Sequence, residues 1–347
     1  MSEISVAIGF NLIVISPTIA LVVTALVLLF FTITIESNEL VKQSITFIGM
    51  LITAFCVFLK FGLFFENGIS SYFTQKILLD EFSLFGNVLI SLILLFNFLS
   101  IWDSSKQLKE KTTEAIILIL MSASGFMLMI DSENLIMLFI GLEIGSISLY
   151  ALAGLNRGDK LSNEASLKYF LLGSLASCIL IYGVSLVYVS FSVFSVYNFA
   201  LGLAYVGPDS VPLTTSIGVL LIFIGLLFKI AAAPFQSWAP DVYQGSPTGY
   251  VGFMSSIAKA SSFIVIARLC LVSINFIIED FNIFFLIVII SSALIGSLFA
   301  SIQEDLKRLL AYSGVVQSGF ILSGIVSGIN GTSASMFYLF TYILQLI

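Results

Sequence analysis

The sequence has no histidine, three cysteines, and few charges for its length: 14 Lys and Arg and 20 Asp and Glu in 347 residues. Without histidine there is no imidazole to ligate haem or zinc, and no side chain whose ordinary titration falls near neutral pH. Cys56, Cys178 and Cys270 each sit in an apolar run, where they read as small buried hydrophobes, not as disulfides or metal ligands. Charged residues make up 10% of the chain, against about 25% in a soluble domain. No basic patch of the kind nucleic acid requires is present. No glycine fingerprint lies in a βαβ context and no cysteine cluster suits iron–sulfur, so the chain itself is expected to bind neither NADH nor flavin nor a cluster. Before the first apolar run stands Glu3, where a cleavable signal would carry basic residues, so that run reads as an uncleaved span.

What the chain has instead is apolar length. Hydrophobic residues make up 59% of it, which predicts an all-α polytopic membrane protein in which lipid takes over much of the role of a core. Eleven spanning segments are predicted, at 11–33, 45–64, 82–102, 114–130, 134–154, 166–190, 214–234, 248–271, 281–300, 309–329 and 334–347. The basic residues support this division. Lys42, Lys106, Lys109, Lys111, Arg157, Lys160, Lys307 and Arg308 all fall in connections from an odd to an even span, whereas Lys76 alone falls clearly in the opposite set. The positive-inside rule then puts the N-terminus outside and the basic loops on the cytoplasmic side or its organelle equivalent. The charged tract from Asp103 to Glu114 reads as a solvated loop without chemistry. The last run, MFYLFTYILQLI, has no polar flank, and the chain is expected to be C-terminally truncated.

The seventh span reads GLLFKIAAAPFQSWAPDVYQGSPT and contains Pro234 and Pro240. Each proline removes a backbone donor, so a break between about Ile230 and Ser237 is predicted. Unwound backbone at membrane depth is tolerated where it is buried in protein or lines a wet cavity, and broken helices of this kind mark ion sites in transporters.

Three ionisable residues lie inside apolar runs. Glu143 is central in NLIMLFIGLEIGSISLYALAG, Lys229 lies five residues before Pro234, and Lys259 is central in the eighth span, where Ser255, Ser256, Ser261 and Ser262 supply hydroxyls for water. Charges at that depth are costly and mark ion or proton paths by default. The bland alternatives are a neutral structural acid for Glu143 and snorkelling to the interface for Lys229. Glu164 and Lys168 are four residues apart at the start of the sixth span, the favourable helical order for an ion pair.

Three stretches together carry a resemblance: GLLFKIAAAPFQSWAPDVYQGSPT, EASLKYFLLGSLAS from Glu164, and DLKRLLAYSGVVQSGF from Asp305. In this order and spacing they resemble the antiporter-like membrane subunits of proton-pumping NADH:quinone oxidoreductase, respiratory complex I. The DVYQGSPT segment is most similar to the subunit N (mitochondrial subunit 2) branch. The resemblance implies inverted five-helix repeats with a broken seventh helix. Residues 1–113 would then form three N-terminal helices, 114–271 the first repeat (helices 4–8) and 272–347 the start of the second (helices 9–11). It also implies proton-translocating roles for Glu143, Lys229, Lys259 and Lys168. Gln236 departs from the family, which commonly has histidine there.

The implied mechanism is electrostatic. A Glu143–Lys229 ion pair holds the lysine charged, and weakening it passes the proton through water to Lys259. At an effective dielectric of about 20 and 4 Å, such a pair is worth roughly 4 kcal/mol. NADH, FMN, iron–sulfur clusters and quinone are expected on partner subunits, with no cofactor or metal on this chain and other complex I membrane subunits as neighbours. The implied location is the inner membrane of a bacterium, with the mitochondrial inner membrane as alternative. Rival functions are a cation/proton antiporter subunit of the multisubunit type and a membrane subunit of a related hydrogenase or photosynthetic NADH-like complex.

Overall fold

A computed structural model describes residues 2–34, 39–104, 112–207, 210–272 and 278–347. Thirteen helices follow one another: α1 (Ser2–Thr34), α2 (Glu39–Asn67), α3 (Glu81–Ser104), α4 (Thr112–Asp131), α5 (Leu135–Ala153), α6 (Lys160–Phe191), α7 (Val196–Val206), α8 (Leu213–Lys229), α9 (Trp238–Gly245), α10 (Thr248–Val272), α11 (Ile278–Ser301), α12 (Leu306–Val326) and α13 (Ile329–Leu346). Each of the eleven predicted spans corresponds to a helix. Among the described residues, nine helices are long and apolar enough to cross a membrane. α8 is not one of them, because it stops at Lys229 after 17 residues. Lys106, Lys109 and Lys111 lie outside the described residues, as does most of the charged tract around them.

Three elements are additional to the prediction. A short antiparallel hairpin, β1 (Ser70–Tyr72) with β2 (Ile77–Leu79), joins α2 to α3. The second is α7, eleven residues between α6 and α8. Its sequence signals were present: Ser195 caps the first turn by accepting from Asn198 N–H, and Gly207 ends the helix at φ 77°. The third, α9, is the short helix that follows the break.

The organising element is α10. Of its most apolar window, 94% of residues are buried, and it packs against α3, α4, α5, α7, α8, α12 and α13. Beside it, α4 and α5 cross at backbone contact. A Cβ on Gly125 would run into the backbone of Gly141 and Gly145, so glycine sets this spacing. Close approach of small residues is how helices associate where apolar burial gives no preference over lipid.

Candidate functional site: a buried lysine pair beside a broken helix

The break falls where two prolines predict it. α8 ends at Lys229 and α9 begins at Trp238, with Ala231 at φ 55° between them. The freed backbone groups are taken up by side chains from neighbouring helices. Ser292 of α11 accepts from the Ala233 N–H at 2.9 Å, and Ser291 donates to the Ala233 carbonyl at 3.2 Å. Ser318 of α12 donates to the Ile230 carbonyl at 2.9 Å, and the Trp238 indole N–H to Phe228 at 3.0 Å. The unwound tract is thus held by protein hydroxyls and an indole, the condition under which irregular backbone survives at membrane depth. Gln236 keeps its buried side-chain oxygen without a partner among the described residues.

Lys229 is 2% exposed. Its ammonium donates to Ser146 Oγ and Tyr150 Oη of α5, each at 2.9 Å. The Tyr150 ring also lies 5.4 Å from it. The expected ion pair with Glu143 is not formed. Glu143 is half-buried and accepts from Ser177 of α6, whereas Lys229 reaches α5 one to two turns further along. Ser146 and Tyr150 follow Glu143 at i+3 and i+7, so the three share one helix face. That spacing was readable in the sequence and could have nominated both partners.

Lys259 is likewise 2% exposed. It donates to the Gly314 carbonyl of α12 at 2.9 Å and to Tyr342 Oη of α13 at 3.1 Å. The serines around it do not reach it. Ser255, Ser256 and Ser261 bond to carbonyls three or four residues back on their own helix, a common resting place for a helical hydroxyl. Ser262 is buried with no hydrogen-bond partner among the described residues. The seat of Lys259 comes from α12 and α13, and its sequence signal was a glycine: a Cβ at Gly314 would collide with the ammonium and with Tyr342 Oη.

Lys168 lies apart from these two. It is 40% exposed and bridges Glu164 at 2.6 Å and Asp241 of α9 at 2.8 Å. Arg308 of α12 also holds Asp241, at 2.6 Å, and Gln244 bonds Arg308 and Asp305. Asp305 precedes α12, and the Arg308 backbone N–H beside it holds its carboxyl below the usual carboxylate range, with help from Gln244 and Lys307. A cavity of about 230 Å³ lies among Glu164, Lys168, Asp241, Gln244 and Arg308. It opens on the side of the basic loops.

A second charged cluster, which sequence reasoning missed, lies at the opposite end of α10. Lys60 of α2 is 0% exposed and pairs with Asp131 at 2.8 Å, while Asn87 of α3 donates to the other Asp131 oxygen at 2.7 Å. Arg268 binds Asp80 through two nitrogens, at 2.6 and 2.9 Å, and donates to the carbonyls of Ile130 and Ser132 at the end of α4. Ser195, ahead of α7, donates to Glu133 at 2.9 Å.

Among known proteins, the family described as NADH:quinone oxidoreductase/Mrp antiporter, TM, matches residues 132–346. NADH-quinone oxidoreductase subunit N of Trichlorobacter lovleyi is 36% identical over 337 residues, which cover 96% of this chain and 67% of that protein. A chain of respiratory complex I from Thermus thermophilus aligns with TM-score 0.77 at 28% identity, over 95% of this chain and 68% of that one. A chain of the Mrp complex from Dietzia sp. aligns with TM-score 0.80 at 18% identity, over 96% and 62%, and shares the fold. The chain spans about half to two thirds of the length of the curated relatives it matches. It is a multi-pass membrane protein, and with more than half of its length matched it belongs to the NADH:quinone oxidoreductase/Mrp antiporter transmembrane family.

Proposed function

We propose that this chain is a proton-translocating membrane subunit of an NADH:quinone oxidoreductase in a bacterial inner membrane. Electron transfer would occur on partner subunits that hold NADH, FMN, iron–sulfur clusters and quinone. The observation that carries this reading is the pair Lys229 and Lys259, both buried and both bonded to neutral groups alone among the described residues. A buried lysine facing hydroxyls and a carbonyl can exist with or without its proton. One facing a carboxylate is tied to its charge. The relationship to subunit N proteins at more than 30% identity supports the oxidoreductase over the antiporter, whose 18% identity concerns the fold.

In this reading Lys229 passes its proton through water to Lys259. Glu143 acts at longer range than an ion pair, across the α5 face it shares with Ser146 and Tyr150. The inverted-repeat arrangement of residues 114–271 and 272–347 belongs to the same proposal.

The test is Lys259→Met in the assembled complex. Methionine keeps the apolar stem and removes the charge, so the span should insert and the complex assemble. Proton pumping, read by dye quenching in membrane vesicles, should fall at least tenfold. Lys259→Arg should rescue poorly, because guanidinium does not release its proton. Full pumping by the methionine variant, or full rescue by arginine, refutes the relay.

A further inference from the structure

We infer that Ser318 is a positioning residue whose hydroxyl couples the charge state of Lys259 to the geometry of the break beside Lys229. The inference rests on the proton-relay reading above and deepens it. Ser318 is 0% exposed and sits on α12 one turn after Gly314. Its oxygen lies 2.9 Å from the Ile230 carbonyl and 2.8 Å from the Gly314 carbonyl. A hydroxyl has one hydrogen, so it serves one of these acceptors at a time. The Gly314 carbonyl is also the one that receives the Lys259 ammonium, at 2.9 Å. The Ile230 carbonyl follows Lys229 directly and has lost its helical partner because α8 ends there.

These contacts form one competition. While Lys259 is charged, its strong N–H donor satisfies Gly314, and the Ser318 hydrogen is free for Ile230, which fixes the end of α8. When Lys259 gives up its proton, Gly314 loses a charge-assisted donor, and such bonds are about twice as strong as neutral ones. The Ser318 hydrogen then turns to Gly314, and the Ile230 carbonyl is released. The turn that orients Lys229 loosens in step with the state of Lys259. No covalent bond is made or broken in the latch itself: the proton leaves Lys259 for water, and the hydroxyl only rotates.

The test is hydrogen–deuterium exchange of the peptide spanning residues 227–235, in the assembled complex in lipid nanodiscs. Lys259→Met, with no ammonium, should raise exchange of this tract at least threefold over the native protein, and Lys259→Arg should not. Ser318→Ala should raise it by a similar factor. The informative measurement is the double variant, which should exchange no faster than either single one, because both act through the same hydrogen. Ser318→Thr restores the hydroxyl and should exchange like the native protein. Native exchange in Ser318→Ala, or effects that multiply in the double variant, would overturn the latch. If Lys259→Met loses pumping yet leaves this exchange unchanged, the relay stands and the latch falls. If it pumps fully while the double variant is non-additive, the latch stands and the relay falls.

Discussion

Lys60 on α2 and Lys259 on α10 are both almost fully buried, yet they have opposite partners. Lys60 faces Asp131, whose second oxygen is taken by Asn87. Lys259 faces a backbone carbonyl and a tyrosine hydroxyl. The first arrangement fixes a charge. It joins α2, α3 and α4 at the end of the bundle away from the basic loops, and Arg268 with Asp80 ties α10 into the same place. The second arrangement leaves the charge optional, as does that of Lys229. Burial alone therefore does not separate these lysines. What separates them is whether the partner is ionised, and the proposed relay runs through the two whose bonded partners are neutral.

The largest effect should come from breaking the fixed pair. Lys60→Met leaves Asp131 buried without its cation, and an uncompensated buried charge costs about 3–5 kcal/mol. Loss of assembled complex is the expected outcome, measured as its yield in detergent-solubilised membranes. Adding Asp131→Asn removes the orphaned charge while keeping an acceptor for Asn87, and should recover most of that yield. If Lys60→Met assembles normally and loses only pumping, Lys60 belongs with the carriers and the comparison collapses.

A smaller effect should follow from thinning the neutral shell of Lys229. Tyr150→Phe and Ser146→Ala each remove one hydrogen bond to the ammonium. Bonds to charged groups contribute about 1.5–3 kcal/mol, so each variant should weaken proton uptake by Lys229 roughly tenfold or more, at about 1.36 kcal/mol per tenfold, and lower pumping with assembly retained. Pumping rates in vesicles decide it. If both variants pump like the native protein, Lys229 does not depend on this shell and its role must be reassigned.

The contrast between the two kinds of lysine also sets what the sequence could reveal. Glu143, Lys229 and Lys259 stand out because each interrupts a long apolar run. The break stands out because Pro234 and Pro240 follow closely. Lys60 and Asp131 do not stand out: each lies near the end of its span, where a charge reads as interfacial. Their pairing spans 71 residues of sequence and becomes visible only when α2 and α4 are placed together. The expected Glu143–Lys229 pair failed for a related reason. Sequence places both at membrane depth but does not say which turn of α5 the lysine reaches. The serine content of α10 predicts a hydrated shell for Lys259, yet Ser255, Ser256 and Ser261 bond within their own helix. The hydroxyls that matter at the break, Ser291, Ser292 and Ser318, come from helices further along the chain.

The smallest effect separates Lys168 from both classes. It is 40% exposed and shared between two carboxylates, so the stability at stake is that of a surface pair, about 0–1 kcal/mol. Lys168→Gln should leave assembly intact. Asp241 would keep Arg308 but lose its second cation, and the mouth of the 230 Å³ cavity would become more negative. Pumping should then fall only a few-fold, and the deficit should change with salt, because exposed charges are screened over about 10 Å at 0.1 M ionic strength. Lys168→Arg should pump almost normally, since a guanidinium can bridge the same two carboxylates without ever releasing a proton. That result makes Lys168 a fixed charge that shapes the entrance. If arginine and glutamine are equally damaging, Lys168 must give up its proton during transport, and it joins Lys229 and Lys259 in the proposed relay despite its ionised partners.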